Sequence, residues 1–165
     1  MIEANDRAAF VKRFEHLFEH SPWVVERAWE SRPFVNPEAL HEAFMGTVME
    51  ADEDRQLALI RAHPQLGVKQ ALTDSSDAEQ AGAGLKALSA EEFQRFAALN
   101  AAYQEKFGFP FIVCVGRMKS KAAIFEAFEA RMGNDAAAEH AAALQEIGWI
   151  AKLRLAQVLT PAELA

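Results

Sequence analysis

The sequence predicts an all-α fold, one domain over residues 1–165 built from about seven to nine helices. Three observations carry that prediction. Apolar residues recur at intervals of three and four through most of the chain, the spacing that lines one face of a helix. Helix-start signals open several of those segments: an Asn-Pro step and two Ser-x-x-Glu boxes. Only one short run, Phe111 to Val115, is rich in aromatic and β-branched residues, and a lone strand would leave its backbone groups without partners. A buried helical or irregular turn is therefore expected there. At 165 residues and 51% hydrophobic content the chain can bury one proper core, and no Pro/Ser/Gly-rich linker divides it.

In chain order, residues 6–20 place Phe10, Phe14, Leu17 and Phe18 on one helical face. His16 and His20 stand four apart in the same segment, a spacing that admits a metal pair, although no HExxH order or third ligand follows. Pro22 opens a second helix, with Trp23, Val24, Ala28 and Trp29 expected in the core. Asn36-Pro37 starts a third, since Asn accepts from the free first-turn amides and Pro fits that turn; Leu40, Phe44, Thr47 and Val48 mark its inner face. A fourth, Asp52 to Ala62, carries acid at its start and Arg61 at its end, matching the helix dipole. It should stop at His63, because the residue before Pro64 is pushed out of the α region. Ser89 with Glu92 opens a long helix through Phe93, Phe96, Leu99, Asn100, Tyr103 and Phe107. Ile124, Phe125 and Phe128 mark another that ends near Gly133-Asn134, and residues 135–159 form the last, with Ala142, Ile147, Ile150, Leu153 and Leu155 along it.

The stretch from Arg61 to Leu85 is different in kind and reads as the active site. A histidine at a helix end, its backbone fixed by Pro64, can present its imidazole to a cleft at a pKa near neutrality; it can equally cap the last carbonyls of its helix. From Gly67 to Ser76 the composition is that of a surface loop. Ser76 with Glu79 has the capping-box spacing, so Ser76 either caps a helix or joins Glu79 and Gln80 in meeting a polar ligand at the helix start. Gly82 and Gly84 would permit close backbone approach. No Gly-Lys-Ser/Thr follows, so a phosphate loop is excluded.

The formal net charge of −7, with no Lys/Arg stripe, argues against a nucleic-acid partner. A single cysteine, Cys114, excludes an intrachain disulfide and a Cys-based zinc cluster, and it reads as a small core residue in a reducing compartment. Neither a secretory leader nor a run of 18 apolar residues is visible, so a cytoplasmic protein with no membrane span is expected.

HPQLG, SSDAEQAGAGL, NAAYQEKFGFPFIVCV, EARMGN and EIGWIAKLRL, in that order from about Phe34 to Leu159, closely resemble the 2-oxo-4-hydroxy-4-carboxy-5-ureidoimidazoline (OHCU) decarboxylase family of urate breakdown. The resemblance implies an all-helical fold, a homodimer, and a decarboxylation that needs no cofactor and no metal and yields (S)-allantoin. By it His63 is the catalytic histidine and Glu79 the carboxylate beside it. Ser76 and Gln80 match substrate-contacting positions, Pro64 shapes the pocket, and backbone around Phe111, Ile112 and Val113 lies against the heterocycle. Many members carry a basic residue directly after the FPFIVCV-like run, where this chain has Gly116. Either Arg117 takes that role one position later, or the substrate anion is met elsewhere, Arg154 in KLRL matching a second basic position. Competing readings are a decarboxylase or lyase for a related ureido-acid, a non-catalytic helical binding module, and a metal-dependent hydrolase using His16 and His20.

Overall fold

The computed structural model describes residues 1–68 and 72–165. The described residues form nine α-helices: α1 Arg7–Phe14, α2 Trp23–Ala28, α3 Pro37–Glu50, α4 Glu53–Arg61, α5 Asp74–Gly82, α6 Ala90–Phe107, α7 Lys121–Arg131, α8 Ala136–Val158 and α9 Pro161–Leu164. No strand is present among them beyond an isolated bridge between Ile2 and Phe34. The all-α class is thus as expected.

Contacts group these elements into two units. The first is Met1–Ala62 with Gly148–Ala165. Its helix starts follow the sequence signals: the side chains of Asp6, Asn36 and Asp52 accept from Ala9, Ala39 and Arg55 amides at 2.7–2.8 Å. Phe10, Phe14, Phe18 and Phe44 form an aromatic cluster, and Leu40, Phe44, Thr47 and Val48 are buried on α3 as their spacing requires. The long first helix expected over residues 6–20 ends earlier. It stops at Phe14, a 3₁₀ turn follows over Glu15–Leu17, and His20 takes a left-handed φ of 45°. Four-residue spacing aligns two side chains only along a continuous helix, so the premise of a His16–His20 metal pair fails. Trp23 and Trp29 are half-buried, each under an arginine, Arg55 and Arg32 respectively.

This unit also contains a buried ion pair. Arg154 Nη2 donates to Glu19 Oε1 at 2.8 Å, and Nη1 donates to the His16 carbonyl at 3.0 Å; the two side chains are 3% and 1% exposed. Burial, followed by the Arg154 charge, lowers the His16 pKa. Beyond α8 the chain closes on itself through α9, where Thr160 and Glu163 form a capping box. Arg13 holds the Glu163 carboxylate bidentately at 2.6 and 2.8 Å. That hydrogen bonding, only partly opposed by burial, holds the Glu163 carboxyl down at about 2, against 4.5 unperturbed. Because the folded pKa is depressed, the stabilisation is complete above 4.5 and is lost as pH falls from 4.5 toward 2. Glu163→Gln is expected to cost about 1 kcal/mol at pH 7, the difference from wild type shrinking as pH falls from 4.5 through about 2 in urea titrations. A pH-independent difference would remove this linkage.

The second unit is His63–Ile147. Its core is aromatic: Tyr103, Phe107, Phe109, Phe111 and Phe128 pack at centroid distances of 4.0–6.1 Å. Ser89 and Glu92 form the expected capping box, and α6 ends on Gly108 at φ 75°. α8 contributes its first half to this unit and its second half to the other. Its buried residues include Ala143, Leu144, Ile147, Ile150, Ala151 and Leu155; Leu153, expected inside, is 38% exposed. None of the described helices is long and apolar enough to cross a membrane.

Candidate active site

Helix α4 ends at Arg61 with Ala62 as its cap, and His63 follows in a bend, 8% exposed. The predicted helix stop before Pro64 is therefore observed. What holds the HPQLG turn comes from other helices of the second unit. Gln80 on α5 accepts from the Gly67 amide through Oε1 at 3.1 Å and donates through Nε2 to the Gln65 carbonyl at 3.3 Å. Asn100 on α6 donates to the Leu66 carbonyl at 2.9 Å. Three consecutive residues after His63-Pro64 are thus tied by side-chain amides, which is how an irregular buried segment satisfies its backbone.

Gly67 is the position where glycine is required. Its φ is 66°, and an added Cβ would lie 2.9 Å from Leu88 Cδ1 and 3.0 Å from Phe96 Cδ2. Gly67→Ala is expected to cost about 1–3 kcal/mol in strain and crowding. Thermal unfolding checks it, and an unchanged Tm would show that the turn tolerates a side chain.

Helix α5 begins earlier than the capping-box spacing suggested. Thr73 is the N-cap, its hydroxyl accepting from the Ser76 amide at 3.3 Å, so Ser76 lies inside the first turn. Of the two readings of Ser76, the one in which it caps the helix is corrected: three residues upstream, Thr73 has the extended conformation (φ −63°, ψ 155°) that a cap needs. Ser76 and Gln80, one turn apart, are both buried on the inward face, and Glu79 beside them is half-buried. Residues 69–71, within the expected loop, lie outside the described residues. At the far end Gly84 takes φ 78° and Leu85 N donates to the Gln80 carbonyl at 2.9 Å, a left-handed helix stop. Gly82, expected to allow close approach, faces open space: a Cβ there would meet nothing within 4 Å.

The Phe111–Val115 run is irregular and buried, as expected, and ends in a 3₁₀ turn over Val115–Arg117 that packs against α5. Phe111, Ile112 and Val113 are 1%, 3% and 6% exposed. Side chains replace a strand partner: Arg131 Nη1 donates to the Ile112 carbonyl, and the Cys114 amide donates to Glu146 Oε2 at 3.2 Å. Burial first and then the Glu146 carboxylate push the Cys114 thiol up, with Glu79 adding in the same direction. Burial above all keeps Cys114 a protonated core thiol, not a nucleophile. Arg117, at the end of the turn, is exposed.

The second unit contains most of the residues that the sequence singled out: His63, Pro64, Ser76, Glu79, Gln80, the Phe111–Val113 backbone and Arg117. Arg154 belongs to the first unit, with Glu19. Asn100, Arg131, Glu139 and Glu146 were not singled out. Asn100, Arg131 and Glu146 act on backbone distant in sequence and lie within NAAYQEKFGFPFIVCV, EARMGN and EIGWIAKLRL, whereas Glu139, which accepts from side chains of Tyr103, Arg131 and Asn134, lies in none of those motifs.

A buried histidine, a half-buried carboxylate and a buried hydroxyl within one all-helical unit are side chains of the kind that acid/base chemistry on a small polar molecule uses. The comparisons narrow this. Residues 3–156 match the sequence model of the family described as OHCU decarboxylase. The 2-oxo-4-hydroxy-4-carboxy-5-ureidoimidazoline decarboxylase of Haloferax volcanii is 44% identical over 152 residues, covering 92% of this chain and 90% of that protein. The enzyme of that name from Halalkalicoccus jeotgali is 40% identical, covering 94% and 88%. Among solved structures, an (S)-allantoin synthase is similar at TM-score 0.74 and 26% identity, over 94% of this chain and 52% of that one. An OHCU decarboxylase crystallised in the presence of (S)-allantoin shares the fold at TM-score 0.72 and 23% identity, covering 88% and 95%. The chain belongs to the OHCU decarboxylase family, a family of decarboxylating lyases.

Proposed function

We propose that this chain converts 2-oxo-4-hydroxy-4-carboxy-5-ureidoimidazoline to (S)-allantoin and CO₂ without a cofactor, with His63 as the acid/base and Glu79 as its partner. The observation that carries this reading is the buried His63, on a turn tied at three successive residues, in the same unit as α5 with Ser76, Glu79 and Gln80. The substrate supplies its own electron sink. When the carbon–carboxylate bond breaks, CO₂ leaves and the electron pair moves into the adjacent ring C=N, whose nitrogen takes a proton. The resulting enol becomes the carbonyl of allantoin by losing its hydroxyl proton while the ureido-bearing carbon gains one. Delivery of that proton to one face sets the S configuration.

An imidazole is suited to both proton movements because it can accept and donate near neutral pH. Glu79 orients the ureido group and stabilises the imidazolium that forms in passing. Ser76 offers a buried hydroxyl, and Pro64 fixes the backbone beside the imidazole. Gln80 has both amide ends engaged with the turn, so its part is to hold His63 as well as to border the ligand. The Phe111–Val113 backbone would lie along the heterocycle, and Arg117, on a turn packed against α5, would meet the carboxylate bidentately. Arg154 is the alternative cation, although its guanidinium is already engaged by Glu19. A cytoplasmic homodimer completes the proposal, to be checked by sedimentation of the purified protein.

The test generates the unstable substrate in situ from urate with urate oxidase and 5-hydroxyisourate hydrolase, then follows its ultraviolet absorbance. Addition of this protein should accelerate the decay well beyond the spontaneous rate. Decay unchanged at micromolar enzyme would reject the reading.

A further inference from the structure

Several polar side chains of His63–Ile147 that the reaction does not use converge on one buried carboxylate. Glu139, wholly buried near the start of α8, accepts from Arg131 Nε at 3.0 and 3.2 Å, from Arg131 Nη2 at 2.8 Å, from Asn134 Nδ2 at 2.9 Å, and from the Tyr103 hydroxyl. Burial opposes its ionisation, but the bonds from Arg131, Tyr103 and Asn134 outweigh burial and hold its pKa below the ordinary value. Burial and the facing Glu139 raise that of Tyr103. The carboxylate is thus a fixed anion, and it fixes Arg131 in turn.

The remaining Nη1 of Arg131 donates to the Ile112 carbonyl, while the guanidinium lies 4.5 Å from the Phe111 ring centroid. Phe111 stacks on Phe128 of α7 at 4.0 Å. Joining three helices does not call for buried charge, since apolar side chains of similar volume do so at equal or greater stability. What this network supplies, and apolar packing cannot, is a rigid donor for a carbonyl in a run that has no strand partner. Arginine alone can bridge two oxygens in one plane while lying on a ring.

We propose that Arg131, Glu139 and Tyr103 are positioning residues for the reaction: they fix the height and register of the Phe111–Val113 backbone, and with it the turn that carries Arg117. This rests on the reading above for its kinetic consequence, but not for its structural one. The chain's sole cysteine reports on the run directly, because Cys114 follows Val113 and is 2% exposed.

The experiment compares wild type with Arg131→Lys, which keeps a cation for Glu139 but cannot also hold Ile112. Tyr103→Phe, which removes only the hydroxyl, is the milder second variant should Arg131→Lys fail to fold. Arg13→Ala, which cuts the pair with Glu163 in the first unit, controls for lost stability. In whole native protein at low temperature, Ellman's reagent should label Cys114 at least ~10-fold faster in Arg131→Lys, with a smaller rise in Tyr103→Phe and a rate within about twofold of wild type in Arg13→Ala. KM should rise about 10-fold with kcat lowered less than about threefold and its pH profile unmoved, the signature of lost binding and not of lost chemistry. Labelling that merely follows Tm across all variants, or an unchanged KM, would overturn the proposal. Should wild type itself prove inactive, the functional reading fails while the labelling comparison still decides whether this cluster sets the run.

Discussion

His63→Gln is expected to reduce kcat by roughly 10²–10⁴-fold while leaving the fold intact, the span that a positioned general acid/base contributes. The fold should survive because Gln80 and Asn100 hold the turn at Gln65, Leu66 and Gly67. Glutamine is close to histidine in length and polarity, so the buried site gains neither a large void nor a new charge. Stopped-flow turnover with far-ultraviolet circular dichroism of the same sample reads both quantities, and near-wild-type kcat would remove His63 from the mechanism. Glu79→Ala should lose kcat comparably, since in this account the carboxylate stabilises charge that appears only as the reaction proceeds. Unchanged kcat with a raised KM would reassign Glu79 to binding.

The second large effect is on stability and lies in the first unit. Arg154→Ala removes the guanidinium that faces Glu19, leaving a carboxylate that is 1% exposed without this counter-charge. Breaking a buried ion pair from one side costs about 3–5 kcal/mol. For a chain of this size that corresponds to a Tm lowered by roughly 6–20 °C. Removing both charges together, as Glu19→Leu with Arg154→Met, should recover most of the loss, because the penalty belongs to the stranded charge and not to the missing bond. The double variant also separates two roles for Arg154. If it regains stability and full turnover, Arg154 is a structural cation, and the substrate anion is met by Arg117. If stability returns but KM stays high, Arg154 takes part in binding.

Much of this architecture can be read from local chemistry. Asn36 and Ser89 cap the helices they were expected to cap, because capping depends on a few neighbouring residues. The His63 helix stop follows from the proline next to it, a constraint within one dipeptide. Errors arose where several residues met the same local rule. TDSSD offers four consecutive candidate caps before Asp77, and the Ser76–Glu79 box obscured Thr73. The break after Phe14 carries no glycine or proline to announce it. The C-terminal turn was legible in Thr160-Pro161 followed by Glu163, a capping box with proline in its first turn, but it lay just past the last helix as read.

The candidate site divides along the same line. His63, Ser76, Glu79 and Gln80 stand within 18 residues of one another and carry visible chemistry. The groups that hold them do not. Asn100 reaches Leu66 across 34 residues, and Arg131 reaches Ile112 across 19. Each looks in sequence like an ordinary helical polar residue. Only the fold shows that its partner is a buried carbonyl.

The most direct test of the account is circular dichroism of the product formed when urate is oxidised in the presence of urate oxidase, 5-hydroxyisourate hydrolase and this protein. The account predicts a rapid rise of the (S)-allantoin signal that EDTA does not alter and that His63→Gln abolishes. A signal no faster than the slow racemic background, or one that persists in His63→Gln, would contradict it.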